Sequence, residues 1–208
     1  MGNLVTMDDL SNEDIVAVLD DAERLVPVAT GEILLPLLQG KVLANMFFEN
    51  STRTRMSFET AMKRLGGSVL NFSSVGTSVS KGETLYDTMQ MISGYADVAA
   101  IRHPRQGAAQ YSSDAVGIPI LNAGDGAGNH PTQTMLDLFT IRQAHESLDG
   151  LNVVLVGDLR YGRTAHSLSH ALVRFGASLT LVSPTSLKMP VEIVSDLRSH
   201  GADVTETE

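Results

Sequence analysis

Cysteine is absent from this chain of 208 residues. That excludes a disulfide framework, a thiol nucleophile and a thiolate metal site. Long apolar runs are absent too, and none approaches the roughly 20 residues that a membrane-spanning helix needs. Positive charge is scarce: 15 Lys and Arg stand against 24 Asp and Glu, a formal net charge of −9. A general nucleic-acid surface is therefore disfavoured, and the few arginines must act locally. Histidines and carboxylates are too dispersed for a metal site. The N-terminus is acidic and polar after Met1 and carries no signal-peptide pattern, so a cytoplasmic protein is expected. What is present is 43% hydrophobic and 19% charged. That is enough apolar material for a core, in one domain or two modest ones.

The densest chemistry lies in 47–59. An apolar run over 42–48 reads as a buried strand, and a helical pattern runs from Thr52 to Leu65, with Phe58, Ala61, Met62 and Leu65 on one face. Between them, Ser51, Thr52, Arg53, Thr54 and Arg55 place three hydroxyls and two guanidinium groups in five residues. A helix N-terminus presents free N–H groups and the positive end of the helix dipole, so this turn reads as a phosphate cradle. The plainer alternative is a Ser/Thr N-cap with surface arginines.

Strand and helix patterns then alternate. A capped first helix begins at Ser11 and runs to about Val26. Gly66 and Gly67 end the 52–65 helix. Strands follow at 68–72, 97–101 and 118–121, with helices at 83–93, 107–115 and 132–145. This alternation predicts an α/β fold with parallel sheets. The pattern restarts after Gly150 with strands at 153–156 and 178–182 and helices at 165–175 and 191–199, which predicts a second unit.

Ligands bind at the carboxyl ends of strands in such sheets, so the strand exits supply the candidates. The loop 73–83 reads either as a solvated linker or as a loop that delivers Lys81 to an anion. Arg102 stands at one exit, where a surface ion pair is the plainer alternative. His130 and Gln133 share a face at the start of the 132–145 helix, after the glycine-rich 122–129. They offer an imidazole N–H and an amide that can donate and accept. Arg163 closes the 157–164 exit loop and is a candidate for an anionic group of a second substrate. That loop lacks the G-x-G-x-x-G spacing of a dinucleotide site.

Five stretches together resemble the catalytic chains of the aspartate carbamoyltransferase family: FFENSTRTRMSFE (47–59), SKGETLYDT (80–88), IRHPRQGA (101–108), NAGDGAGNHPTQTMLDLFTI (122–141) and GDLRYGRTAHSL (157–168). The first would also fit ornithine carbamoyltransferases, whereas the last two favour the aspartate enzymes. The resemblance implies two Rossmann-like parallel-sheet units. Residues 1–131 would form the carbamoyl-phosphate-binding domain, complete apart from a C-terminal helix. Residues 132–148 would form an interdomain helix, and 149–208 part of an aspartate-binding domain.

It further implies carbamoyl transfer from carbamoyl phosphate to the α-amine of L-aspartate, the committed step of pyrimidine (UMP) biosynthesis, without a cofactor or metal. Ser51, Thr52, Arg53 and Thr54 would hold the phosphate. Thr54, Arg102 and His130 would face the carbonyl oxygen and Gln133 the amide. Arg53, Thr54, Arg102 and His130 would be the catalytic group. Ser78 and Lys81 would reach into a neighbouring subunit's site in a homotrimer, Lys81 also meeting aspartate. Arg163 would bind an aspartate carboxylate, and Glu49 would pair across the domains on closure. Arg160 stands where some family members have lysine. A regulatory subunit and nucleotide control are left open.

The family's chain runs on for roughly a further third of its length, with more aspartate-binding residues, so a fragment is expected here. Ornithine carbamoyltransferase, or a non-catalytic phosphate-binding or assembly protein, remains the alternative.

Overall fold

The computed structural model describes residues 2–73, 78–126 and 128–208, without the side chains of Ser78 and Ser80. Its first sheet has four parallel strands in the order β2-β1-β3-β4, with β1 at Val42–Phe47, β2 at Ser68–Ser73, β3 at Val98–His103 and β4 at Ile120–Asp125. The helices between them are α3 (Arg53–Arg64), α4 (Leu85–Ser93) and α5 (Ala108–Ala115). β1 is central and is covered on both faces. Leu43 packs with Met62 of α3, whereas Ala44 and Met46 pack with Met89 and Ile92 of α4. Two-sided burial is why this strand reads as an apolar run, broken only by the buried Asn45, whose Nδ2 donates to Arg55 O and Asn71 Oδ1.

The free edge of β4 is closed by the N-terminal segment. Leu4 N–H donates to Ile120 O at 2.9 Å and Asn122 N–H to Leu4 O at 2.8 Å. Helix α1 (Asn12–Arg24) starts at Ser11 in a capping box with Asp14, and α2 (Val26–Thr30) follows directly.

The second sheet is parallel with order β5-β6-β7: β5 (Asn152–Val156), β6 (Ser178–Val182) and β7 (Val204–Thr207). Helices α7 (Arg163–Val173) and α8 (Val191–Ser199) alternate with its strands. Its core joins Leu172, Leu179, Leu181 and Leu197 to Ile15 and Leu19 of α1 and to Met135 and Leu138 of α6 (Pro131–His145). The long helix α6 therefore begins at the end of the first sheet and packs into the core of the second. On β5, Val153 and Leu155 face this core, while Val154 and Val156 are exposed.

One strand end differs from expectation. β4 runs on through Asn122–Asp125, a stretch that its glycine and polar residues make look like loop. Asn122 is fully buried and donates to Val5 O, and its side-chain oxygen accepts from Gly124 N–H, so the polar side chain serves the strand. The charged ending carries β7, of whose residues only Val204 is buried. Among the described residues, no helix is long and apolar enough to cross a membrane, and no group of His, Asp and Glu could hold a metal ion.

Candidate functional site

Parallel pairing brings the exits of β1, β3 and β4 to one edge. Phe47 pairs with Arg102, and His103 with Asp125. The turn after β1, the end of β3 and the loop into α6 therefore meet. The N-terminus of α7 faces them from the second sheet. Between them is a cleft of about 900 Å³. Ser51, Thr52, Arg53, Thr54, Arg102, His130, Gln133 and Arg163 all line it. So do Asn50, Thr132, Leu136 and Thr164, which sequence reasoning did not single out. Asn50 comes in with the turn after β1, and the packing of α6 against α7 brings in the other three.

The start of α3 lacks a side-chain cap. Thr52 has helical backbone angles (φ −85°, ψ −57°) and makes no capping hydrogen bond through its side chain. The first intrahelical bond is Met56 N–H to Thr52 O at 3.1 Å. Among the described residues, the N–H groups of Arg53, Thr54 and Arg55 have no acceptor. Free N–H groups at the positive end of a helix dipole, with the exposed Arg53 beside them, suit an anion.

Glu49 stands behind the cleft between two arginines. Its Oε1 is 2.7 Å from Arg102 Nε and 3.4 Å from Arg163 Nη2. Arg102 Nη1 also donates to Ala123 O at 3.3 Å, and an Nη1–H of Arg163 donates to Gly126 O. Arg163 thus links the second unit to the loop after β4. Burial, then the nearby Arg163 cation, lowers the pKa of Arg102, and Glu49 offsets part of that shift.

His130 precedes Pro131 at the first turn of α6 and is 5% exposed. Burial, with the Arg102 and Arg163 cations, lowers its pKa to about 4. The imidazole is therefore neutral at pH 7 and can donate a hydrogen bond without carrying charge. Gly124, at φ +117°, makes room for this grouping. A Cβ there would stand 3.3 Å from the Arg163 guanidinium and from His130 Cδ2.

Gln133, one turn on, donates from Nε2 to Asp137 Oδ1 at 3.0 Å. Lys81 is exposed in the short 3₁₀ turn Ser78–Lys81 and does not line the cleft. The side chain of Ser78 and residues 74–77 of the candidate lysine loop lie outside the described residues.

The cleft can thus hold a phosphate at α3, present Arg102 and neutral His130 to a polarised oxygen, and offer Arg163 to a second anion. Comparison with known proteins identifies the family. The family model for the aspartate/ornithine carbamoyltransferase carbamoyl-P binding domain matches residues 3–143. The aspartate carbamoyltransferase catalytic subunit of Methanothermobacter thermautotrophicus is 54% identical over 99% of this chain and 66% of its own length. That of Methanococcoides burtonii is 54% identical over 99% and 67%. The catalytic subunit of M. jannaschii aspartate transcarbamoylase superposes with a TM-score of 0.93 at 47% identity, covering 100% of this chain and 69% of that one. Trypanosoma cruzi aspartate transcarbamoylase in complex with N-(phosphonacetyl)-L-aspartic acid gives 0.94 at 41%, covering 100% and 69%. The chain thus spans about two thirds of the length of the relatives it matches. With a family model matching well over half of its residues, the chain belongs to the aspartate/ornithine carbamoyltransferase family.

Proposed function

We propose that the full-length protein is an aspartate carbamoyltransferase, which moves the carbamoyl group of carbamoyl phosphate to the α-amine of L-aspartate and releases phosphate. The free N–H groups at the start of α3, the hydroxyls of Ser51, Thr52 and Thr54, and Arg53 hold the phosphate. Thr54, Arg102 and neutral His130 donate to the carbonyl oxygen, and Gln133 meets the amide. Arg163 takes an aspartate carboxylate. Ser78 and Lys81 complete the site of a neighbouring subunit in a homotrimer. Residues 1–131 form the carbamoyl-phosphate unit, 132–148 the connection and 149–208 part of the aspartate unit.

The chemistry follows from where charge develops. The neutral amine attacks the carbamoyl carbon, and negative charge builds on the carbonyl oxygen. Preplaced donors stabilise that charge, each by about 3 kcal/mol in comparable sites. The C–O bond to phosphate then breaks, and Arg53 and the helix N-terminus favour the departing anion. The phosphate oxygens accept the amine proton, so no protein nucleophile is needed.

The observation that carries the proposal is the pairing of an uncapped helix N-terminus with a buried neutral histidine in one cleft. A plain phosphate site would need only the first. Substrate binding by relatives agrees: the Trypanosoma cruzi enzyme has been solved in complex with carbamoyl phosphate and aspartate. Calorimetry on the full-length protein tests the proposal. Carbamoyl phosphate should bind alone, and an aspartate analogue should bind only after it. Binding of the first but never of the second would support a non-catalytic phosphate-binding protein instead.

A further inference from the structure

Asp137 has no role in the scheme above, yet it is placed where a carboxylate is costly. It is half-buried on α6, and burial raises its pKa. Among the described residues no cation pairs with it, and its only side-chain partner is Gln133, whose Nε2 lies 3.0 Å from its Oδ1. Gln133 in turn lines the cleft, and Asp137 does not.

A glutamine amide can present either end to a ligand, because its oxygen and nitrogen exchange places by one rotation. An ionised carboxylate only accepts hydrogen bonds. Asp137 therefore holds the Nε2 end and leaves Oε1 as the end available to the cleft. Among the described residues no donor reaches that oxygen. The rest of the cleft is rich in donors: Arg53, Arg102, Arg163, the free N–H groups of α3 and the His130 imidazole. An acceptor fixed among donors demands a ligand with an N–H at that point.

We propose that Asp137 is a positioning residue that sets substrate choice: by fixing the Gln133 amide with Oε1 toward the cleft, it makes the site select an acyl phosphate bearing –NH₂ over one bearing a methyl group. This rests on the function proposed above and deepens it. The simpler role for a Gln–Asp pair four residues apart is a small gain in helix stability. That role would affect every ligand alike, which makes the two separable.

The test measures dissociation constants for carbamoyl phosphate and acetyl phosphate by calorimetry on the full-length protein. The proteins compared are wild type, Asp137→Asn, Gln133→Ala and the double variant. An asparagine at 137 can donate to Oε1 and turn the amide around. Asp137→Asn should then weaken carbamoyl phosphate about tenfold and change acetyl phosphate by less than twofold. The double variant should be no worse than Gln133→Ala. Equal loss for both ligands, unchanged discrimination, or additive losses in the double variant would overturn the proposal. If Asp137→Asn does not fold, Asp137→Ala carries the same comparison, since alanine suits a helix. Wild-type protein that fails to bind carbamoyl phosphate at all would overturn the assigned function itself. Wild-type binding with unchanged discrimination in the variants would overturn only the role of Asp137.

Discussion

Glu49 Oε1 lies 2.7 Å from Arg102 Nε, and the same oxygen is 3.4 Å from Arg163 Nη2. One carboxylate thus holds together two cations that otherwise repel, and it does so between the two units. Arg102 belongs to β3 and Arg163 to α7.

Glu49→Gln should loosen this arrangement without unfolding the protein, since the pair is partly solvated and such pairs contribute modestly to stability. Arg102 keeps its bond to Ala123 O, and Arg163 keeps Gly126 O. The expected result is a fall of about tenfold, or ~1.4 kcal/mol, in kcat/KM for aspartate, with the melting temperature nearly unchanged. Steady-state kinetics checks the first and calorimetric melting the second. Wild-type kinetics would remove Glu49 from the account.

His130 gives a pH dependence of defined sign. Its folded-state pKa of about 4 lies below the 6.5 of a free histidine. The folded protein therefore favours the neutral ring. The resulting stability is fully present above pH 6.5 and is lost as pH falls from 6.5 toward 4, because the unfolded chain takes up the proton first. The loss should reach about 3 kcal/mol. Urea unfolding of wild type and His130→Gln at several pH values should show wild type losing more stability over that window. Parallel curves would contradict the burial of a neutral His130.

Gly124→Ala should harm both fold and site. At φ +117° an L side chain is strained, and the new Cβ would press on the Arg163 guanidinium and His130 Cδ2, each 3.3 Å away. A destabilisation of about 1–3 kcal/mol is expected, together with weaker carbamoyl phosphate binding. Thermal melting and calorimetry would show both. A fully stable variant that binds normally would mean the end of β4 has room it does not display.

Much of this was legible in the sequence, and the reasons are local. The 42–48 run and the 52–65 pattern carry their own periodicities, so β1, α3 and the anion turn between them follow directly. Candidates at strand exits rest on one rule of parallel sheets, which points to Arg102, His130, Gln133 and Arg163, and all four line the cleft. Other features depend on packing between distant segments. Pairing of Glu49 with Arg102 needs the strand order β2-β1-β3-β4, which no local pattern encodes. Thr132, Leu136 and Thr164 reach the cleft because α6 and α7 pack side by side. Asn122 and Gly124 read as loop because a buried asparagine satisfied by the N-terminal segment looks, in sequence, like an exposed one.

The most direct measurement is carbamoyl transfer by the full-length protein, with labelled carbamoyl phosphate offered to aspartate and, separately, to ornithine. Wild type should form N-carbamoyl-L-aspartate and leave ornithine unchanged. Arg53→Ala should lower turnover about 100-fold, the scale expected when one preplaced donor is lost, while the exposed position of Arg53 leaves the fold intact. Product from ornithine alone, or equal rates in wild type and Arg53→Ala, would contradict the assignment of this cleft to aspartate carbamoylation.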